Sequence, residues 1–97
     1  MNSGGRPAGQ FVYQGRSHQA IRGPAFSYPS GWGYRRWDSG QSLPFLFLTS
    51  RYFFMDYGLY GLAPPPSNYV WVRYGPDLLL VSRRTGRIRQ VIYGAFY

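Results

Sequence analysis

The sequence predicts a mainly β protein: an antiparallel meander of three to four strands with a short helical turn ahead of it, all following a disordered tail, and a small α+β arrangement as the alternative. Residues 68–97, NYVWVRYGPDLLLVSRRTGRIRQVIYGAFY, hold three short apolar runs, alternating or continuous, which is the pattern of half-buried and fully buried strands. The breaks between them, Gly75-Pro76-Asp77 and Arg84-Thr85-Gly86, carry turn chemistry. Near residue 41 the 97-residue chain also shifts from Gly, Ser, Arg and Pro to dense aliphatic and aromatic side chains. That shift divides it into a flexible segment over 1–41 and a β domain over 42–97.

Residues 1–30 sustain no period of 2 or 3.6 and are poor in aliphatics. Such a stretch cannot bury enough surface to offset its ordering entropy and is expected to be disordered, with Phe11-Val12-Tyr13 pairing only transiently. The patch Trp32-Gly33-Tyr34-Arg35-Arg36-Trp37 is expected to fold back onto the sheet, because two Trp and a Tyr have large apolar area to cover. Pro44 suits the opening of a short helical turn over 44–50. From Arg51 to Tyr57 the alternation of Tyr52, Phe54, Asp56 with Phe53, Met55, Tyr57 predicts a strand. Pro64-Pro65-Pro66 removes three ladder donors and predicts an extended connector.

Tyr69–Tyr74 then alternates Tyr69, Trp71, Arg73 against Val70, Val72, Tyr74. Pro76 presets φ at the first central position of a type I turn, with Asp77 at the second. Leu78–Arg83 returns, Gly86 supplies the positive φ of a second turn, and Ile88–Tyr93 closes the meander. A Pro76-Asp77 loop sets Val72 opposite Val81 and Tyr74 opposite Leu79. Trp71, Arg73, Leu78 and Leu80 occupy the other face. Residues 43–57 are expected to cover one face and the Trp32–Trp37 patch the other.

All eleven basic residues are Arg, the only acids are Asp38, Asp56 and Asp77, and the net charge is +8. This imbalance attracts polyanions, and guanidinium supplies planar, bidentate contacts to carboxylate or phosphate; a merely solvating basic surface is the plainer reading. There is no cysteine, hence no disulfide and no thiolate metal site. The longest nearly apolar run, Leu43–Leu48, is interrupted by Pro44 and falls far short of the roughly 20 residues a membrane helix needs. Residues 1–30 lack the apolar core of a signal peptide, so either the chain is not exported or a leader has been removed before Met1.

Catalysis has little to work with. The single imidazole, His18, lies in the segment expected to be disordered, Glu and Lys are absent, and the three Asp are dispersed, which leaves triad, paired-carboxylate and Schiff-base chemistry without a residue set. The chain is read as no enzyme and as having no cofactor. His18, Asp38, Asp56, Asp77, Met1 and Met55 show no metal-ligand spacing, so no metal site is assigned, and His18 is expected to be an exposed tail residue. Arg interleaved with aromatics, as in Tyr69-Val70-Trp71-Val72-Arg73-Tyr74 and Gly33-Tyr34-Arg35-Arg36-Trp37, is also what binders of single-stranded nucleic acid use; aromatics at strand spacing are more often core.

Leu43-Pro44, Arg51-Tyr52-Phe53-Phe54-Met55-Asp56-Tyr57, Tyr60, Leu62, Pro64-Pro65-Pro66, Tyr69, Trp71-Val72-Arg73-Tyr74-Gly75, Asp77, Leu79-Leu80-Val81, Thr85-Gly86, Ile88 and Val91-Ile92 resemble, in order and spacing, the RcnB family of periplasmic nickel/cobalt homeostasis proteins or transporter regulators. The resemblance covers residues from about 40 to 94. It implies export to the periplasm, a removed leader, and a part in balancing nickel and cobalt efflux without catalysis; it carries over no ligand residue. The expected mode of action is contact with a protein partner in the cell envelope, with polyanion (single-stranded nucleic acid) binding as the alternative. Tyr69, Trp71, Arg73, Arg83, Arg84 and Arg87 form the candidate interaction surface, since Trp, Tyr and Arg are the anchor types of interfaces, with core burial of Trp71 as the competing role. The last strand is an edge that can pair with a second copy.

Overall fold

A computed structural model describes residues 9–97. It contains five strands in two antiparallel sheets: β1 Gln10–Tyr13 paired with β2 Arg16–Gln19, and the meander β3 Tyr69–Tyr74, β4 Asp77–Ser82, β5 Ile88–Ile92. Between the sheets run three short 3₁₀ turns, at Phe45–Phe47, Ser50–Tyr52 and Tyr57–Tyr60. The predicted meander and the turn opened by Pro44 are therefore present, the latter beginning at Phe45 with Pro44 as its cap. No helix among the described residues is long and apolar enough to cross a membrane.

The first meander turn differs by one position from expectation. Tyr74 pairs with Asp77, so the loop is Gly75-Pro76, and Gly75 takes a φ of 58°, the positive value a two-residue hairpin needs at its first central position. Pairing moves by two residues, to Val72 opposite Leu79 and Val70 opposite Val81; a shift of two leaves every side chain on its expected face. Gly86 has a φ of 78° in the second turn. There the Ser82 hydroxyl accepts the Arg84 and Thr85 amides at 3.2 and 3.3 Å, and a bulge interrupts the β4–β5 ladder between Leu80 and Val81.

Two expectations are corrected. Residues 10–19, within the stretch 1–30 expected to be disordered, form the β1–β2 hairpin, and residues 20–30 follow it with Ala20 and Ile21 buried and Phe26 and Tyr28 packed against the core; residues 1–8 of that expectation lie outside the described residues. Gln14 and Gly15 both have positive φ, 51° and 74°, which makes the two-residue primed turn whose twist matches its strands. Only Phe11 and Tyr13 of the hairpin point inward, while all of β2 is exposed or half-buried, so no two-strand alternation announces it. His18 is accordingly no tail residue: it is half-buried on β2, its ring stacked on Phe11 at 5.3 Å. The strand expected over 51–57 is also absent. Phe53 bridges Val72 and the Phe54 amide donates to the Trp71 carbonyl at 2.9 Å, after which the chain leaves the edge of β3. Its aromatic alternation has another cause: Tyr52 and Phe53 pack against one face of the sheet, Phe54 and Tyr57 against the other.

β4 is buried at all six positions, since both faces of the meander are covered. One face, with Trp71, Leu78, Leu80 and Ile92, packs under Phe11, Tyr13, Ile21 and Leu62, and Phe96 joins them near the chain end. The other, with Val70, Val72, Tyr74, Leu79 and Val81, packs under Trp37, Leu43, Phe47 and Tyr52. The Trp32–Trp37 patch does fold back, but onto the same face as residues 43–53; the opposite face is closed by the unexpected hairpin. Residues 40–43 cap the start of the outer edge of β5, with the Ile88 amide donating to Gln41 at 2.8 Å and Leu43 to Gly86 at 2.8 Å.

Candidate functional site

The six residues singled out from the sequence do not form one surface. Trp71 is 1% exposed; its Nε1 donates to the Ala63 carbonyl at 3.0 Å and Tyr13 meets it edge-on. It is core, and cannot reach a partner. Tyr69 is half-buried beneath Arg89, whose guanidinium is 5.4 Å from the ring. Arg83, Arg84 and Arg87 are exposed around the second turn, with Arg83 5.4 Å over Phe53. Register places Arg73, opposite Leu78, toward the first turn, at the other end of the sheet.

Arg73 belongs instead to a cleft of about 440 Å³ between residues 21–27, the 51–60 segment and β3. Arg22 and Arg51 also line it, with Asp56 as the single acid, over Phe26, Phe53, Phe54, Tyr60 and Phe96. The Arg73 guanidinium lies 4.2 Å over Phe96 and 5.5 Å over Phe26, and its Nε donates to the Gly75 carbonyl at 2.9 Å. Burial pushes its pKa below the ordinary arginine value, an effect countered by Tyr28. Stacking of this kind fixes a guanidinium plane while leaving its edge free for a planar acceptor. It recurs across the molecule, with Arg35 4.2 Å over Trp37 and Arg36 3.7 Å over Tyr93.

Sequence reasoning missed the role of Asp77. It is buried at the start of β4, where Oδ2 accepts the Tyr34 hydroxyl at 2.6 Å and Oδ1 the Gly94 amide at 2.9 Å. The carboxylate thereby ties the loop over the sheet and the chain end to the first turn. Burial, and then the bond to Asp77, push the Tyr34 hydroxyl well above the usual tyrosine range. Asp38 serves a like purpose at 2.8 Å from the Tyr93 hydroxyl. Neither acid is paired with a base in a way that generates a nucleophile, and among the described residues no group of three His, Cys, Asp or Glu is placed to hold a metal ion. What the arrangement offers chemically is oriented guanidinium on aromatic supports, a set suited to recognising anions.

A family model described as RcnB, nickel/cobalt transporter regulator, matches residues 40–90. No curated protein and no solved structure matches the chain.

Proposed function

The chain belongs to the RcnB family of nickel/cobalt transporter regulators, and from that premise we propose that it acts in the periplasm without catalysis, by binding a protein partner of the cell envelope. The observation that carries this reading is the cluster of exposed Arg83, Arg84 and Arg87 beside half-buried Tyr69, on a chain whose three carboxylates cannot neutralise eleven guanidinium groups. Trp71 drops out of the proposed contact surface because it is buried, and Arg73 because it lies in a separate cleft at the other end of the sheet. The division near residue 42 stays part of the proposal: the family match runs from 40 to 90, and the described stretch before it supplies covers for both faces of the sheet.

The test is growth in graded nickel and cobalt of cells lacking this chain, complemented with the native form or with Arg83→Ala/Arg84→Ala/Arg87→Ala. The variant is expected to fold normally, because exposed arginine substitutions away from packed features usually change stability by less than about 0.5 kcal/mol, and to lose metal tolerance together with a cross-link to its partner. Unchanged tolerance and cross-linking would overturn the contact surface. Tight, steeply salt-dependent binding of single-stranded RNA by the native chain, lost in the variant, would replace the reading with polyanion binding.

A further inference from the structure

The cleft around Arg73 has two features that the proposed regulatory contact at the second turn does not use. The first is a guanidinium held in place with donors to spare. Phe96 supports one face, Nε is bonded to Gly75, and a Cβ added at Gly23 would come within 2.9 Å of Nη1, so the group is seated against bare backbone. Its two η nitrogens donate to no acceptor among the described residues. Donors that are partly desolvated, oriented and unpaired gain most from a charged acceptor. The second feature is the rim. From Arg22 to Ser27 the chain runs outside any strand, and none of its backbone groups is hydrogen-bonded among the described residues. Apart from Pro24, which has no amide to donate, main-chain groups free in this way accept a second extended chain by strand addition.

We propose that this cleft holds an extended, acidic segment of a protein partner: a carboxylate on Arg73, a neighbouring apolar side chain on the aromatic floor, and main chain alongside residues 22–27. Charge complementarity selects the acid, since Arg22, Arg51 and Arg73 face only Asp56. The open rim selects a polypeptide, because a small carboxylate would leave those backbone groups unused. Single-stranded nucleic acid requires free ring faces for stacking, and here the face of Phe96 is occupied by Arg73. The choice of a protein partner rests on the regulatory reading above; the carboxylate site does not.

The probe is a short fluorescein-labelled peptide of alternating Glu and Phe, titrated into the full chain by anisotropy beside its Gln-for-Glu counterpart. The Glu peptide is expected to bind about tenfold tighter or better, as a charge-assisted fork requires. Arg73→Gln should lose about that factor and Arg73→Lys most of it, since an ammonium cannot form the planar pair. Arg16→Gln, exposed at the start of β2 and outside the cleft, should match the native chain. Equal affinity for the two peptides, or undiminished affinity in Arg73→Gln with a native circular dichroism spectrum, would overturn the site. Displacement of the peptide by equimolar phenylacetate or by uridine-rich RNA would overturn the polypeptide occupant. Peptide binding that depends on Arg73, with nickel and cobalt tolerance intact in Arg83→Ala/Arg84→Ala/Arg87→Ala, would uphold the cleft and count against the regulatory reading; lost tolerance in that triple variant with no Arg73-dependent peptide binding would do the reverse.

Discussion

The two faces of the meander are closed by different kinds of structure. Over Trp71 and Leu80 lies a hydrogen-bonded hairpin, which satisfies most of its own main chain and so needs only Phe11 and Tyr13 to seal it. Over Val72 and Tyr74 lies chain that forms no strand of its own and, apart from single bridges to the sheet edges at Ser42 and Phe53, holds together through side chains. Tyr74 is the hub, with the rings of Phe26, Tyr28, Trp37 and Phe47 at 6.1, 5.4, 5.9 and 5.1 Å and its hydroxyl donating to Gly33 at 2.7 Å. A cover without a ladder thus depends on one central side chain, whereas a cover with one is a separable unit.

Tyr74→Ala is the strongest way to break this contrast. It removes the hub and the Gly33 bond together, and should cost about 4 kcal/mol in chemical denaturation. Phe11→Ala should cost about 3 kcal/mol, and hydrogen exchange should find residues 10–19 unprotected while β3 to β5 keep their protection. Collapse of both faces in that variant would show that the hairpin is no separable unit. Gly86→Ala tests the junction of the second cover with the sheet: a Cβ there meets the Leu43 carbonyl oxygen at 2.7 Å with φ at 78°, and a loss of about 2 kcal/mol is expected. Tyr74→Phe keeps the ring and removes only the hydroxyl, for about 1 kcal/mol.

The smallest effect is pH-dependent. Burial raises the pKa of Tyr28, Tyr34 and Tyr74, with Asp77 adding to the first two. Each therefore keeps its proton to higher pH in the folded chain than in the unfolded one. The unfolded chain binds fewer protons once pH passes about 10, so the stability these groups contribute is intact below that point and falls above it. Denaturation midpoints followed between about pH 9 and 11 should drop in the native chain and drop less in Tyr34→Phe; parallel curves would remove Tyr34 from the account.

Residues 69–93 made the meander legible because each strand carries its own period and each turn its own chemistry: Gly86 has the predicted positive φ, and an error of two in pairing changed no face. The 10–19 hairpin was hidden because β2 buries nothing, although Gln14-Gly15 between two short runs was a usable sign. Residues 51–57 misled because a chain that crosses a sheet edge shows the same alternation as a strand. For the candidate site, residue types were legible and their grouping was not. Trp71, Arg73 and Arg84 look alike as interface anchors in the sequence, yet they lie in the core, in a cleft and on an exposed turn.

The sequence by itself determined what is local or compositional: three β strands and their turns, a chain rich in arginine and poor in acid, and the order of motifs that marks its family. Tertiary structure alone decided which segment covers which face, that Asp77 is a buried latch, and that Arg73 is seated against Gly23 and Phe96 with its η donors unspent. Those outcomes depend on contacts between residues distant along the chain, such as Phe11 with the sheet face of Trp71 and Tyr34 with Asp77. No local period encodes such contacts, because each is fixed by competition among many apolar segments for two sheet faces.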